Sequence, residues 1–478
     1  MGFQKPVLMT LLILLSSMLT FTNLADTTNH SSVELQAIAS DVGATPFFLS
    51  RLQYGAIPLD NPGIVAIVRN GKNYNLKKKY DWKYQVQATG WAGKQNDFWL
   101  TEAYVSGRRG NWELWAGRRK EVYGLGDTAM TSGFYAWSGN AVPIPKIQFG
   151  TRDYVDFAKG HLGIFMTFAH GWLDNQGPVL DGFLHQKTLY GRIGRRNALI
   201  NLFGGVNHQV MWAGTNRDGT TYGTGLNTLF YVVVPTTNRE NVSVDPNAPW
   251  YENNYQYGAH LGSVDFLLKI QPKWGTISIY KQTAWETGRI AQLITANDGI
   301  AGISLHLKQK KVLQHIIFEY IYTANQGHYY SGLAKLLGMK DPHANEIENN
   351  FNGTHGGWHY FNRGIGTPLI IYNMESINKN KYEFSLNVVK AYYLGLKGQL
   401  PNDIYWKLRV AYSLHTDPKF PGFAIREYDG FIQQTSLGLQ VSKNAFRNLN
   451  FQAEIGYDQG ERVTNTLGMK LGLRYVIN

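Results

Sequence analysis

Apolar and polar side chains alternate in strict steps of two through long stretches of this chain. At its end, Leu467, Met469, Leu471, Leu473, Tyr475 and Ile477 interleave with Gly468, Lys470, Gly472, Arg474 and Asn478. Just before, Leu449, Phe451, Ala453, Ile455 and Tyr457 alternate with Asn450, Gln452, Glu454, Gly456 and Asp458, and Ile404–His415 repeats the pattern. A period of two places side chains on opposite faces of a β-strand. The segments run roughly 10–13 residues, longer than the ~5–6 usual in globular sheets. They match the ~9–11 that a tilted strand needs to cross a bilayer. The second face carries Lys, Arg, Glu and Gln, as a wet lumen does.

Connection lengths give an independent test. The pattern predicts strands near 80–92, 97–108, 111–119, 146–156, 161–170, 184–194, 197–213, 257–271, 274–286, 298–309, 312–323, 385–400, 403–415, 430–443, 448–458 and 465–476, with two more near 33–42 and 63–70. From Gly107 onward, short links such as Arg109-Gly110 and Pro272-Lys273 alternate with long ones such as 120–145, 214–256 and 324–384. A soluble sandwich has no reason to segregate its loops this way. The expected fold is all-β: a transmembrane antiparallel β-barrel of about 18 strands, with short periplasmic turns and long extracellular loops. The aromatic residue that the barrel assembly machinery reads at the end of such chains sits slightly inside, at Tyr475.

Residues 1–25 read as a secretory signal: Lys5, then the apolar run Val7–Leu15, and no acid before Asp26. Residues 26–478 are then expected to form one barrel domain in the outer membrane, with outer-membrane lipid and the barrel assembly machinery as partners. Charged residues make up 17%, against ~25% in globular chains, with 51 Gly, which excludes a disordered chain and a helical bundle. The complete absence of Cys removes disulfides, thiolate zinc sites and lipoprotein anchoring. A net charge of +12 suggests nucleic acid at first sight, but the basic residues are dispersed and the chain is exported, so no nucleic-acid partner is expected.

Catalytic signatures are lacking. No nucleophile elbow, zinc helix or phosphate loop is present, and Gly124-Leu125-Gly126-Asp127 lacks the third Gly and the βαβ setting of a nucleotide site. Asp341-Pro342-His343 with Glu346 and Glu348 reads as a solvated loop. The histidines on or beside strands, among them His170, His185, His208 and His260, read as lumenal hydrogen-bonding groups. No enzyme activity, cofactor or metal is expected. The long loops carry more information, because aromatic faces stack on sugar rings while Asn and Arg bond hydroxyls or carboxylates. Trp137 and Asn140 in loop 120–145, Trp212 and Asn216 at loop 214–256, and Trp358 and Arg363 in loop 324–384 are the carbohydrate-binding candidates. Trp250, Tyr251, Tyr255, Tyr329, Tyr330, Asn352 and His355 have the same character. The competing account is an aromatic girdle plus loop packing. A polar lumen face with Lys407, Arg409, Lys470 and Arg474 suggests a passive diffusion channel as the second reading of function.

Gly117-Arg118-Arg119-Lys120-Glu121-Val122-Tyr123-Gly124-Leu125-Gly126-Asp127, Ser132-Gly133 and Trp137 through Pro145 resemble the capsule-assembly Wzi family. His170-Gly171-Trp172, His185 through Tyr190, Asn207-His208 and Met211 through Gly214 extend the resemblance, as do Pro46 through Leu49 and Gln53-Tyr54-Gly55. It is densest over 46–214. The resemblance implies an outer-membrane barrel of about 18 strands, largely occluded inside. It also implies a lectin-like, non-enzymatic role in holding capsular or exopolysaccharide at the cell surface. Some members carry a periplasmic helical bundle ahead of the barrel; roughly 35 residues between the cleavage site and Asn61 lead us to expect it to be missing.

Overall fold

A computed structural model of the chain describes residues 29–59, 63–94, 96–175, 177, 179–217, 219–234, 257–286, 296–309, 312–325, 356–372, 386–416, 418–419, 427–428 and 430–477. The expected signal, the 341–348 acidic loop and Trp250, Tyr251, Tyr255, Tyr329, Tyr330, Asn352 and His355 lie outside the described residues.

The alternating segments form one closed antiparallel barrel of 18 strands. In chain order these are β1 (Asn29–Ser40), β2 (Gly63–Lys72), β3 (Tyr80–Ala92), β4 (Asp97–Arg109), β5 (Trp112–Arg118) and β6 (Lys146–Thr151, continued by Val155–Phe157). There follow β7 (Leu162–Trp172), β8 (Phe183–Ile193), β9 (Ile200–Trp212), β10 (Ala259–Ile270), β11 (Gly275–Trp285) and β12 (Gly299–Leu307). The circuit continues with β13 (His315–Tyr322), β14 (Val388–Leu400), β15 (Ile404–Thr416), β16 (Ile432–Phe446), β17 (Leu449–Gly460) and β18 (Thr466–Ile477). Each strand pairs with its sequence neighbours, and closure comes from β18 on β1, with Ser31 opposite Ile477 and Ala37 opposite Leu471. Closure leaves no unpaired edge, the condition for a sheet to stand in hydrocarbon.

Period two now has a physical meaning on each face. On β18, Leu467, Met469, Leu471 and Leu473 are exposed on the outer wall, while Thr466 and Lys470 are buried inside. The same outward row contains Leu35, Phe168, Leu189, Phe266, Ile303 and Phe318. Short turns gather at the end that holds both strand termini, the periplasmic end in this class.

Two features depart from the sequence reading. The first is the direction of the loops: of those expected outside at 120–145 and 324–384, the connection 119–145 and the described stretch 356–372 turn into the barrel. The stretch Phe134-Tyr135-Ala136-Trp137 and Ala141-Val142-Pro143-Ile144 is too apolar to stay in water, and most of it is buried. The second concerns His170, His185, His208 and His260. They share the outward parity of Phe168, Leu189 and Leu202 and so lie on the outer wall, not in the lumen.

Candidate functional site

Three segments fill the lumen, and the strand side chains that hold them explain why the inner face is polar. Irregular backbone buried away from water must find hydrogen-bond partners. Here the barrel wall supplies them.

The first segment follows β1. It carries a single helical turn, α1 (Phe47–Ser50), whose Phe47 N–H donates to Asp458 at 2.7 Å, while Arg409 donates to the Phe48 carbonyl at 2.8 Å. Pro46 and Phe48 lie against the bare backbone of Gly438, Gly456 and Gly468. The second segment, 119–145, is pinned at successive strands. The Leu125 N–H donates to Asp265 on β10 at 3.1 Å, and the Tyr135 N–H donates to Gln282 on β11 at 2.8 Å. Thr131 and the Ser132 N–H donate to Glu319 on β13 at 2.7 Å each, and Gln209 on β9 donates to the Ala136 carbonyl at 2.6 Å. The third segment, 356–372, lies on the second: Ser138 donates to the Gly366 carbonyl at 2.6 Å and Asn140 to the Gly364 carbonyl at 2.9 Å.

Four of the six sequence-predicted residues therefore belong to one buried assembly. Trp137 is 6% exposed, Asn140 1%, Trp358 1% and Arg363 4%. The Trp137 ring is occupied by the Lys146 ammonium 5.0 Å from its centre, and the same ammonium pairs with Glu121 at 2.9 Å. Arg363 donates to the Ser50 carbonyl at 2.9 Å and to the Ile57 carbonyl, joining the third segment to the first. Asn216 and Trp212 sit apart. Asn216 lies at the extracellular rim, where Thr215–Asn216 pairs with Val179–Leu180. Next to it, exposed Arg217 donates to the Asn175 and Gly177 carbonyls at 2.9 and 3.1 Å, and Asn175 donates to Asp181 at 3.0 Å. Trp212 is on the outer wall, edge-on to Phe183 at 5.4 Å and to His170 at 6.0 Å.

The inner wall also holds paired charges: Arg69 with Glu34 at 2.6 Å, Arg119 with Glu113 at 2.6 Å, and Lys120 with Glu102 at 4.0 Å. Burial pulls the Lys120 ammonium down to about 8, with Glu102 opposing the shift. On β15, β17 and β18, Glu454 lies between Arg409 and Lys470, the latter at 2.8 Å. Among the described residues no group of three or more His, Asp or Glu is placed to hold a metal ion. Sequence reasoning missed the anchors Asp265, Gln282, Glu319 and Asp458. Their signal was present as acids and amides on the lumen side of the alternation, but nothing in the pattern said that they would bind loop backbone.

The sequence matches the family model for capsule assembly protein Wzi over residues 58–335. A search of curated proteins finds no match. Among solved structures, the chain is similar to Wzi of Escherichia coli, described as an outer membrane protein involved in group 1 capsule assembly and a carbohydrate binding β-barrel. The TM-score is 0.58 at 10% identity, covering 97% of this chain and 87% of that one. Similarity to OprD of Pseudomonas aeruginosa has a TM-score of 0.44 at 8% identity, covering 94% and 93% of the two chains. For OccAB3 of Acinetobacter baumannii the values are 0.44 and 10%, covering 95% and 100%.

Proposed function

The chain belongs to the capsule assembly protein Wzi family, and from that premise we propose that it binds capsular or exopolysaccharide at the cell surface and helps to anchor it, without catalysing a reaction. Residues 26–478 act as one barrel domain, delivered by the 1–25 signal and inserted among outer-membrane lipid by the barrel assembly machinery. The observation that carries the reading is the lumen filled by segments 41–59, 119–145 and 356–372, each bonded to the wall. A wall that spends its polar groups on holding loops is poorly suited to diffusion, which disfavours the passive channel. The surface left to work with is the extracellular mouth. The E. coli protein, described as carbohydrate binding, shares the fold.

In this reading the six residues divide their labour. Asn216, with its neighbour Arg217 and with Asn175 across the rim, presents hydroxyl- and carboxylate-bonding groups to the polymer. Trp137, Asn140, Trp358 and Arg363 keep the plug in place as the floor of that surface, and Trp212 fixes the wall from which the rim hairpin rises. The test has two arms on the purified barrel. Retention of polysaccharide from the protein's own host, with little planar-bilayer current, is the expected result. No retention together with open-channel current would replace this reading with the diffusion channel.

A further inference from the structure

The outer wall carries a polar patch where lipid is expected. His170, His185, Lys187, His208 and His260 all have outward parity on β7 to β10. They lie in segments that the sequence analysis singled out and that the polysaccharide reading leaves unused. His208 and His260 are joined by a 2.9 Å hydrogen bond, and His260 also bonds the Tyr257 carbonyl at 2.7 Å. A cation or imidazole facing acyl chains is unfavourable, and increasingly so toward the bilayer centre.

Wall rings cover part of the patch, Phe168 against His185, Trp212 against His170 and Trp285 against His208, and a helix, α2 (Leu226–Val233), from the connection between β9 and β10, covers its Lys187 end. The inner side of α2, with Val232 buried and Leu229 and Tyr231 half-buried, packs on Val210 and Trp212 of the outer wall and on Tyr257 just ahead of β10. The Lys187 ammonium donates to the Val233 carbonyl. That carbonyl belongs to the last turn, which has no intrahelical partner to offer and favours a cation. Lys187 lies four residues below the extracellular end of β8 at Phe183, roughly 13 Å along the strand. The helix therefore descends beside the barrel to the level of the exposed lipid-facing residues Phe168 and Leu189.

The other side of α2 is also apolar. Leu226, Phe230 and Val234 fall at four-residue spacing on one face, and Leu226 is 85% and Phe230 60% exposed. A helix apolar on both sides is at odds with water, and its free face is continuous with the lipid-facing band of the barrel. We propose that α2 is embedded in the outer leaflet. Its Leu226–Phe230–Val234 face then contacts acyl chains, and its inner side, together with the wall rings, seals the histidine–lysine patch from them. This inference does not depend on the polysaccharide reading.

The chain has no Cys, so single cysteines report without background. Phe230→Cys and Leu226→Cys, labelled with an environment-sensitive fluorophore and reconstituted in phospholipid vesicles, are compared with Leu189→Cys in the band and Thr220→Cys at the rim. Each variant is first checked for heat-modifiable gel migration, which reports the closed barrel. The expected result is loss of fluorescence to spin-labelled lipid equal to that of the Leu189→Cys label, with no quenching by aqueous iodide. Iodide quenching like that at Thr220→Cys would overturn the proposal by placing the helix in water. Protection from both quenchers would overturn it too, by placing a second copy of the chain on that face.

Discussion

The Arg363 guanidinium donates at 2.9 Å to the carbonyl of Ser50, tying the loop after β13 to the turn after β1 across 313 positions of sequence. A second donation reaches the Ile57 carbonyl. One side chain thus satisfies two buried carbonyls on a segment with little regular structure. Hydrogen bonds of this charged kind are worth about 1.5–3 kcal/mol each when lost from a buried site. Arg363→Ala is expected to loosen the plug while leaving the barrel closed. Planar-bilayer current should rise above wild type, with heat-modifiable migration unchanged. Wild-type current would mean that the plug is held without this residue.

The glycines on β16 to β18 make a second, opposite test. A Cβ at Gly438 would stand 2.7 Å from the Phe48 Cβ, and one at Gly456 would stand 2.6 Å from the Pro46 Cβ. At Gly472, on the same wall, the nearest atom would be 3.6 Å away, an ordinary contact. Gly438→Val is therefore expected to displace the α1 turn, at about 1–3 kcal/mol of overpacking. Gly472→Ala is expected to be silent. Urea midpoints of the refolded proteins separate the two, and equal midpoints would show that the turn does not press on the wall.

The strand pattern was legible because alternation of Leu471, Leu473 and Tyr475 with Lys470 and Arg474 is imposed residue by residue by lipid on one side and polar surroundings on the other. Predicted strand limits accordingly fall within a few residues of those observed, the largest offset being the first strand, 29–40 against 33–42. Loop direction was not legible. Phe134 to Trp137 could be read equally as an outer sugar platform or as packing, because composition carries no information about which space a loop occupies. The histidines failed for a related reason: His185 and His208 look lumenal by chemistry, and their outward parity is tolerable because of partners that alternation does not show, Phe168 against His185, and Trp285 and His260 against His208.

Alternation alone also misjudges Arg409. It ranks Leu408→Arg as damaging, since Leu408 faces lipid where Arg costs about 2–4 kcal/mol near the midplane, and Arg409→Leu as a mere change of lumen polarity. Arg409 is in fact bound to Glu454 and the Phe48 carbonyl. Removing it still leaves Glu454 with Lys470 at 2.8 Å. Removing the acid leaves Arg409 and Lys470, with Lys407 nearby, without the carboxylate that pairs with both among the described residues. Glu454→Gln is therefore expected to be worse than Arg409→Leu, by the about 3–5 kcal/mol that follows from stranding buried charge. The fraction of heat-modifiable barrel after expression should fall in the order Arg409→Leu, then Glu454→Gln and Leu408→Arg. A Glu454→Gln protein as stable as wild type would mean that the cations reach water.

Acid should loosen the third lumen segment through His359. Its ring stacks on Tyr372 at 4.1 Å, and burial pulls its imidazole from the usual 6.5 down to about 4. The docked segment thus holds a neutral ring over a range in which the undocked segment would hold a proton. Docking is at full strength above pH 6.5 and weakens as pH falls toward about 4, by up to roughly tenfold in the docking equilibrium per pH unit. Below that both states are protonated and the dependence ends. His359→Phe keeps a flat ring over Tyr372 and removes the proton. Amide hydrogen exchange of peptides covering 356–372, corrected for the intrinsic pH dependence of exchange, reads the difference. Wild-type protection should decline between pH 6.5 and 4.5 while the His359→Phe profile stays flat. Parallel profiles would assign the acid sensitivity to other groups.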